Sequence, residues 1–302
     1  MELTRKYLLE AIIVREVNGM PKIGLVLEGG GMRGLFTAGV LDFFIDRNID
    51  FPYIIGVSAG VCHGTSFVTK QRGRTRDINI DNIRDKRYVS FQNFLKTGSL
   101  FGMDFIFDEI PNKLYPFDFD AFNSSKTEFI TGVTDVHTGK PKYFGREYYK
   151  WINTIARASS SIPLFSPIVD FEGGQYLDGG TSDPIPVRKA LADGCDKVVT
   201  ILTRDRSFVR KPEKFRWIYR RAFRNYPEMV RCLDERHKVY NSTRSFLWDL
   251  EKQGKAFVIA PPTPVTISRF ERNKSKLLAL YKQGYDTAAE LAGKLNDFMS
   301  AE

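Results

Sequence analysis

Two apolar runs, each ending in a glycine-centred turn, lie within the first sixty residues and constrain what the chain can fold into. Ile23-Gly24-Leu25-Val26-Leu27 runs into Glu28-Gly29-Gly30-Gly31-Met32-Arg33-Gly34, and Phe51-Pro52-Tyr53-Ile54-Ile55 runs into Gly56-Val57-Ser58-Ala59-Gly60. Between the turns, Leu35, Ala38, Gly39, Leu41, Phe43 and Ile45 carry the near-helical spacing of a buried face. Strand, helix, strand and helix joined by tight glycine turns is the pattern of parallel βαβ units, so an α/β sheet is expected. Strands are predicted at 22–28 and 52–57, and helices at 33–47 and from 59 to about 70. A charged loop with a short helix follows at 71–92.

Farther along, 127–133 and 141–144 read as strands joined by a turn at 135–140, and a helix is predicted over 148–158. Residues 168–171 and 175–177 flank Glu172-Gly173-Gly174 as a hairpin. A helix at 186–193 and an apolar strand at 197–202 come next. The remainder is mainly helical, at 212–224, 227–253 and 273–299, with one strand at 256–259. Residues 93–122 are too rich in Phe, Leu and Ile for a solvated linker. They are expected to cover the core, to wall an acyl-chain pocket, or both.

The formal charge of +9 is unevenly placed. Nine basic residues between Arg204 and Arg224 stand against Asp205 and Glu213, interleaved with Phe208, Phe215, Trp217, Tyr219 and Phe223. The stretch reads as a solvated helix face or as a patch for an anionic membrane surface, where basic and aromatic residues suit the headgroup region. No helix-turn-helix, RRM or zinc-finger pattern supports nucleic acid as the partner. Cys62, Cys195 and Cys232 are few, odd in number and in no metal-ligand spacing, which argues for a reducing compartment. Ala11-Ile12-Ile13-Val14 is too short for a signal segment, and no run reaches transmembrane length. A cytoplasmic protein, peripherally membrane-associated through 204–224, is the expectation.

Gly56-Val57-Ser58-Ala59-Gly60 matches G-x-S-x-G, the strand-to-helix elbow that presents a serine hydroxyl above a sheet edge. Gly29-x-Gly31-x-x-Gly34 also satisfies a dinucleotide fingerprint, which calls for an acidic residue at the end of the second strand. Val57-Ser58 stands there, and Asp50 precedes the strand. A serine nucleophile needs a base. His63 falls in the elbow's own helix and is expected to point away, while His137 precedes the attractive aspartate. His237 fits the chain order of a Ser, Asp, His triad, but Arg231 to Lys238 reads as the polar face of a long helix.

Asp178 is the other candidate base. It ends a strand and is followed by Gly179-Gly180, which would let its carboxylate approach another loop. A carboxylate is poorly matched to a hydroxyl in pKa. Such a pair relies on positioning and on oxyanion donors worth roughly 3–4 kcal/mol each. The amides of Gly29, Gly30 and Gly31, at a helix start, are donors of that kind.

Taken in order, Glu28-Gly-Gly-Gly-Met-Arg-Gly34, Gly56-Val-Ser-Ala-Gly60, Ala158-Ser-Ser-Ser-Ile-Pro163 and Asp178-Gly-Gly180 resemble the patatin-like phospholipase family. The resemblance spans about residues 20–205. It implies a three-layer α/β/α fold with a mostly parallel central sheet, and acyl-ester hydrolysis of lipids without a metal or other cofactor. Ser58 would be the nucleophile, Asp178 the general base, and Gly29, Gly30 and Gly31 the oxyanion hole. Arg33, Gly34, Gly56, Gly60, Gly179 and Gly180 would support the motifs. Glu28 stands where the family often has Asp, with little effect expected. On this reading 1–19 is an N-terminal extension, 20–205 the catalytic domain with 93–122 as a cap-like insertion, and 206–302 a mainly helical C-terminal region. A catalytically silent lipid-binding or scaffold protein with the same fold is the alternative, and a His237 esterase a further one.

Overall fold

Every residue of β1 (Ile23–Leu27) is buried, because helices cover both faces of the sheet and strands line both of its edges. The structure, a computed structural model, describes residues 21–149 and 154–301. The expected extension at 1–19 and part of the helix expected at 148–158 lie outside the described residues.

A 3-10 turn at Gly31–Gly34 leads from β1 into α1 (Leu35–Asp46). The equally buried β2 (Tyr53–Val57) leads into α2 (Ala59–Val68). α3 (Arg74–Asn82) and α4 (Phe91–Thr97) follow, the latter capped by Ser90, whose hydroxyl accepts from the Asn93 N–H at 3.0 Å. Phe105–Leu114 is a π-helix with Pro111 inside it. Proline has no N–H to continue an α-helical ladder, and the wider turn accommodates it. After α5 (Phe119–Ser124) come β3 (Glu128–Asp135), β4 (Pro141–Phe144) and α6 (Thr154–Ser159). The hairpin β5 (Val169–Phe171) and β6 (Gly174–Asp178) is followed by α7 (Val187–Ala192) and β7 (Lys197–Ile201). The chain closes with α8 (Arg216–Ala222), α9 (Pro227–Lys252), β8 (Ala256–Ile259) and α10 (Lys274–Ser300).

The strands form one sheet in the order β5-β6-β3-β2-β1-β7-β8, with β4 on β3. The β1–β2, β2–β3, β1–β7 and β7–β8 pairings are parallel, and β4, β5 and β6 join antiparallel at the other side. Successive side chains of a strand point to opposite faces. Leu25 and Leu27 accordingly pack with α1, while Val26 packs with Val198 and with Tyr240 and Leu247 of α9. The result is the α/β/α sandwich that the resemblance implied.

The C-terminal stretch is built into this body. β8 extends the sheet, and α10 buries Leu277, Leu280 and Leu295 in the same core as α1. Each such side chain contributes about 1.5–3 kcal/mol. α1 and α10 cross almost backbone to backbone. A Cβ on Gly39 would sit 2.0 Å from the Tyr281 carbonyl oxygen, and one on Gly284 would sit 2.0 Å from that of Phe36.

Candidate active site

Ser58 sits between β2 and α2 with φ +55° and ψ −127°, a conformation that costs a non-glycine residue about 1–3 kcal/mol. The surroundings fix it. Its N–H donates to Ser159 Oγ at 2.9 Å, and that hydroxyl donates to the Gly132 carbonyl at 2.7 Å. Its own carbonyl accepts the first helical bonds, from Val61 and Cys62. Gly60 is required by a close approach, since a Cβ there would lie 2.6 Å from the Leu27 carbonyl oxygen at the end of β1.

The glycine loop lies directly against the elbow, a Cβ on Gly29 falling 3.0 Å from Ser58 Cβ. Among the described residues, the N–H groups of Gly29, Gly30 and Gly31 have no acceptor. Three unmade donors side by side constitute an anion-binding feature. Other groups hold the loop. Thr203 Oγ1 donates to the Gly29 carbonyl at 3.1 Å, and Met32 N–H donates to that of Arg269 at 3.2 Å. Beneath it, Gly34 leaves space that His63 fills, a Cβ there meeting His63 Nε2 at 2.6 Å.

Asp178 closes β6, buried beside Ser58. Its N–H donates to the Ser161 carbonyl at 2.8 Å, Thr134 Oγ1 donates to its carbonyl at 2.8 Å, and the Gly180 N–H donates to Oδ1 at 2.7 Å. Burial pushes the carboxyl above its ordinary range. Arg236, the neighbouring Ser58 hydroxyl, the Gly180 N–H and Arg269 oppose that rise without cancelling it. No histidine is among these groups. His237 lies on α9 and lines neither chamber described below. His137 bonds through Nε2 to Gln175 Oε1 at 3.0 Å in an exposed turn. His63 packs against Gly34 and also lines the apolar chamber, as an imidazole that burial holds neutral, with a pKa lowered to about 4.

Two chambers meet at the elbow, sharing Gly31, Ser58 and Ile162 in their walls. The first, of about 140 Å³, is apolar and walled by Met32, Ile78, Phe101, Met103, Ile106, Phe107, Ile110 and Phe117. The segment 93–122 therefore covers the core and walls this chamber as well. The second, of about 570 Å³, holds Asp178 and is lined by arginines.

Several of the site's supports play parts that their letters did not reveal. Ser159 fixes the elbow, as described. Glu28 accepts from the Thr203 N–H at 2.5 Å and from the Tyr240 hydroxyl at 2.8 Å, tying the loop to β7 and α9. Arg236, next to the rejected histidine, donates from Nε and Nη2 to the Gly180 carbonyl at 2.9 and 2.7 Å.

A family model described as patatin-like phospholipase matches residues 25–191, more than half of the chain, including the loop, the elbow and Asp178. The chain belongs to the patatin-like phospholipase family. Membership makes this patatin-like protein a lipid ester hydrolase. A second model, described as a domain of unknown function, matches residues 226–300. The uncharacterized protein YjjU of Escherichia coli is 30% identical over 254 residues, covering 81% of this chain and 70% of its own. Lysophospholipase nte1 of Aspergillus fumigatus is 29% identical over 191 residues, or 59% of this chain, and the match spans 12% of that relative's length. Among solved structures, VipD from Legionella pneumophila aligns with 91% of this patatin-like chain and 67% of its own, at 12% identity and a TM-score of 0.44.

Proposed function

We propose that the chain is a serine acyl hydrolase cleaving fatty-acyl esters through a Ser58–Asp178 dyad and a covalent acyl-enzyme. The observation that carries the reading is the set of three acceptor-free amides beside a strained, buried serine that shares a chamber with a buried carboxylate. Ser58 Oγ attacks the ester carbonyl carbon as Asp178 takes its proton. The carbonyl oxygen, now an anion, is held by the amides of Gly29, Gly30 and Gly31, each donor contributing about 2.7–4 kcal/mol. Collapse of the tetrahedral adduct expels the alcohol, which leaves with the proton from Asp178. Water then attacks the acyl-serine with Asp178 again as base, and the fatty acid departs. The raised affinity of Asp178 for protons narrows its mismatch with the hydroxyl. The apolar chamber takes the acyl chain, and the similarity to lysophospholipase nte1 fits a lipid substrate.

A fluorophosphonate probe tests the nucleophile without assuming a substrate. Wild-type protein is expected to carry the adduct on Ser58, located by mass spectrometry, and Ser58→Ala to carry none. An unlabelled, folded wild-type chain would favour the scaffold alternative.

The reading extends to a peripheral contact with anionic membrane. In the 204–224 stretch the structure divides the residues that the sequence grouped together. Tyr219 and Phe223 are buried, Arg216 and Arg220 pair with Asp234, and Arg206 pairs with Glu251. Val209, Phe215 and Trp217 remain about two-thirds exposed, at 67%, 68% and 68%. Lys214, Arg221 and Arg224 are exposed near them, and Val209 and Lys211 edge the second chamber. This smaller apolar-basic tip would rest on the lipid surface and present the chamber to it. Among the described residues, no helix is long and apolar enough to cross a membrane. Removing both aromatic anchors in Phe215→Ser/Trp217→Ser is expected to weaken sedimentation with anionic vesicles about tenfold or more. Hydrolysis of a short soluble ester should persist. Equal binding of wild type to anionic and neutral vesicles would exclude the contact.

A further inference from the structure

The second chamber carries more positive charge than the fold needs. Six cationic side chains line it, Arg33, Arg204, Arg210, Lys211, Arg236 and Arg269, against Glu28, Asp178 and Glu213. The acids are already engaged. Glu28 is tied to Thr203 and Tyr240, Glu213 pairs with Arg210 and, at 3.7 Å, with Arg236, and Asp178 faces Ser58. Among the described residues, Arg33, Arg204 and Arg269 have no carboxylate within ion-pair distance. The buried Nε atoms of Arg33 and Arg210 have no hydrogen-bond partner there. Like charges held together without water disfavour one another. The Arg236 guanidinium is lowered to about 9 by burial and then by Arg210 and Arg269, and Arg33 to about 10 by burial and then by Arg204 and Arg269.

Geometry gives this charge a use. An ester whose carbonyl sits at Ser58 with its acyl chain in the apolar chamber must direct its alcohol portion into the second one, because both open on the same serine. We infer that Arg210 and Arg269 select lipid esters whose alcohol bears a phosphate with no attached ammonium group, Arg236 being held by the Gly180 carbonyl and Glu213, an inference that rests on Ser58 being the acylated residue. Guanidinium forks match phosphate oxygens, and a surplus of cations opposes a headgroup ammonium. Both arginines lie beyond residue 191, where the patatin-like match ends, and Arg269 falls within the domain of unknown function at 226–300. That domain is thereby assigned the headgroup side of the site.

The test measures binding in the full chain carrying Ser58→Ala, so that nothing is turned over. The probes are inorganic phosphate, monopalmitoyl glycerol, monopalmitoyl glycerol phosphate and the choline ester of that phosphate. The acylated phosphate is expected to bind more tightly than inorganic phosphate, than monopalmitoyl glycerol and than its choline ester, and to weaken with added salt; a choline ester bound as tightly would overturn the inference. Arg210→Gln and Arg269→Gln, made separately and checked for folding by circular dichroism, should each weaken it about tenfold or more. Monopalmitoyl glycerol should bind either variant as it binds the parent. Inorganic phosphate binding as tightly as its acylated form would show a free-anion site and overturn the inference. So would folded arginine variants that bind the lipid phosphate unchanged. The Ser58 reading fails separately, through absent fluorophosphonate labelling, and leaves this binding measurement interpretable.

Discussion

In Asp178→Asn, kcat for a short p-nitrophenyl ester is expected to fall by roughly 10²–10⁴-fold, the range of a lost general base, while the folded protein becomes more stable at pH 7. Both effects come from one property of the site. The amide keeps an oxygen to accept the Gly180 N–H, so the turn after β6 survives, but it cannot take the Ser58 proton. The native carboxyl, raised mainly by burial, holds its proton at pH values where an unfolded aspartate, with a pKa of about 3.9, has lost it. Between the two pKa values the native state binds more protons than the unfolded one, so stability falls as pH rises through that window. Above it the ionised Asp178 is a standing cost, and asparagine removes it. The wild-type pH–rate profile should show an acid limb above the ordinary carboxylate range, for the same reason. Thermal melts and rates between pH 4 and 8 check all three statements. Wild-type turnover in the variant, or a lower melting temperature at pH 7, would reject the assignment.

Ser58→Gly should abolish hydrolysis and raise stability by about 1 kcal/mol. The native φ of +55° costs a residue with a Cβ about 1–3 kcal/mol, and glycine avoids it. Greater freedom of glycine in the unfolded chain takes back about 0.5–1 kcal/mol. Ser58→Ala loses the same hydroxyl but keeps the Cβ, so it should be equally inactive without the gain. The pair separates nucleophile from strain, with denaturant melts as the readout. Equal stabilities for the alanine and glycine variants would remove strain from the account, and hydrolysis at wild-type level in either would remove the nucleophile.

The central architecture was legible because its signals are local. Apolar runs ending in glycine gave β1, β2 and their helices nearly to the residue, and Asp178 stood out by closing a strand before two glycines. The missed features depend on contacts between residues far apart in sequence. Glu28 meets Tyr240 across 212 positions, and no periodicity records that pairing. α9 reads as a solvated helix, and its charged letters do suit water. Arg236 nonetheless turns inward because a buried carbonyl and a carboxylate await it, which composition cannot reveal. The basic run was read as one surface, whereas its first members face the site and several later ones are paired. The π-helix escaped because Pro111 ordinarily marks a break, and here the ladder widens around it.

The family match stops at residue 191, yet β7 begins at Lys197 and occupies the edge of β1 that β2 leaves open. A polypeptide ending at that border would strand a row of unpaired amides and carbonyls along its most deeply buried strand, a template for self-association. Recognisable ancestry and physical integrity thus have different limits in this molecule. Modular exchange of the serine-bearing half between relatives would have to carry the tail with it.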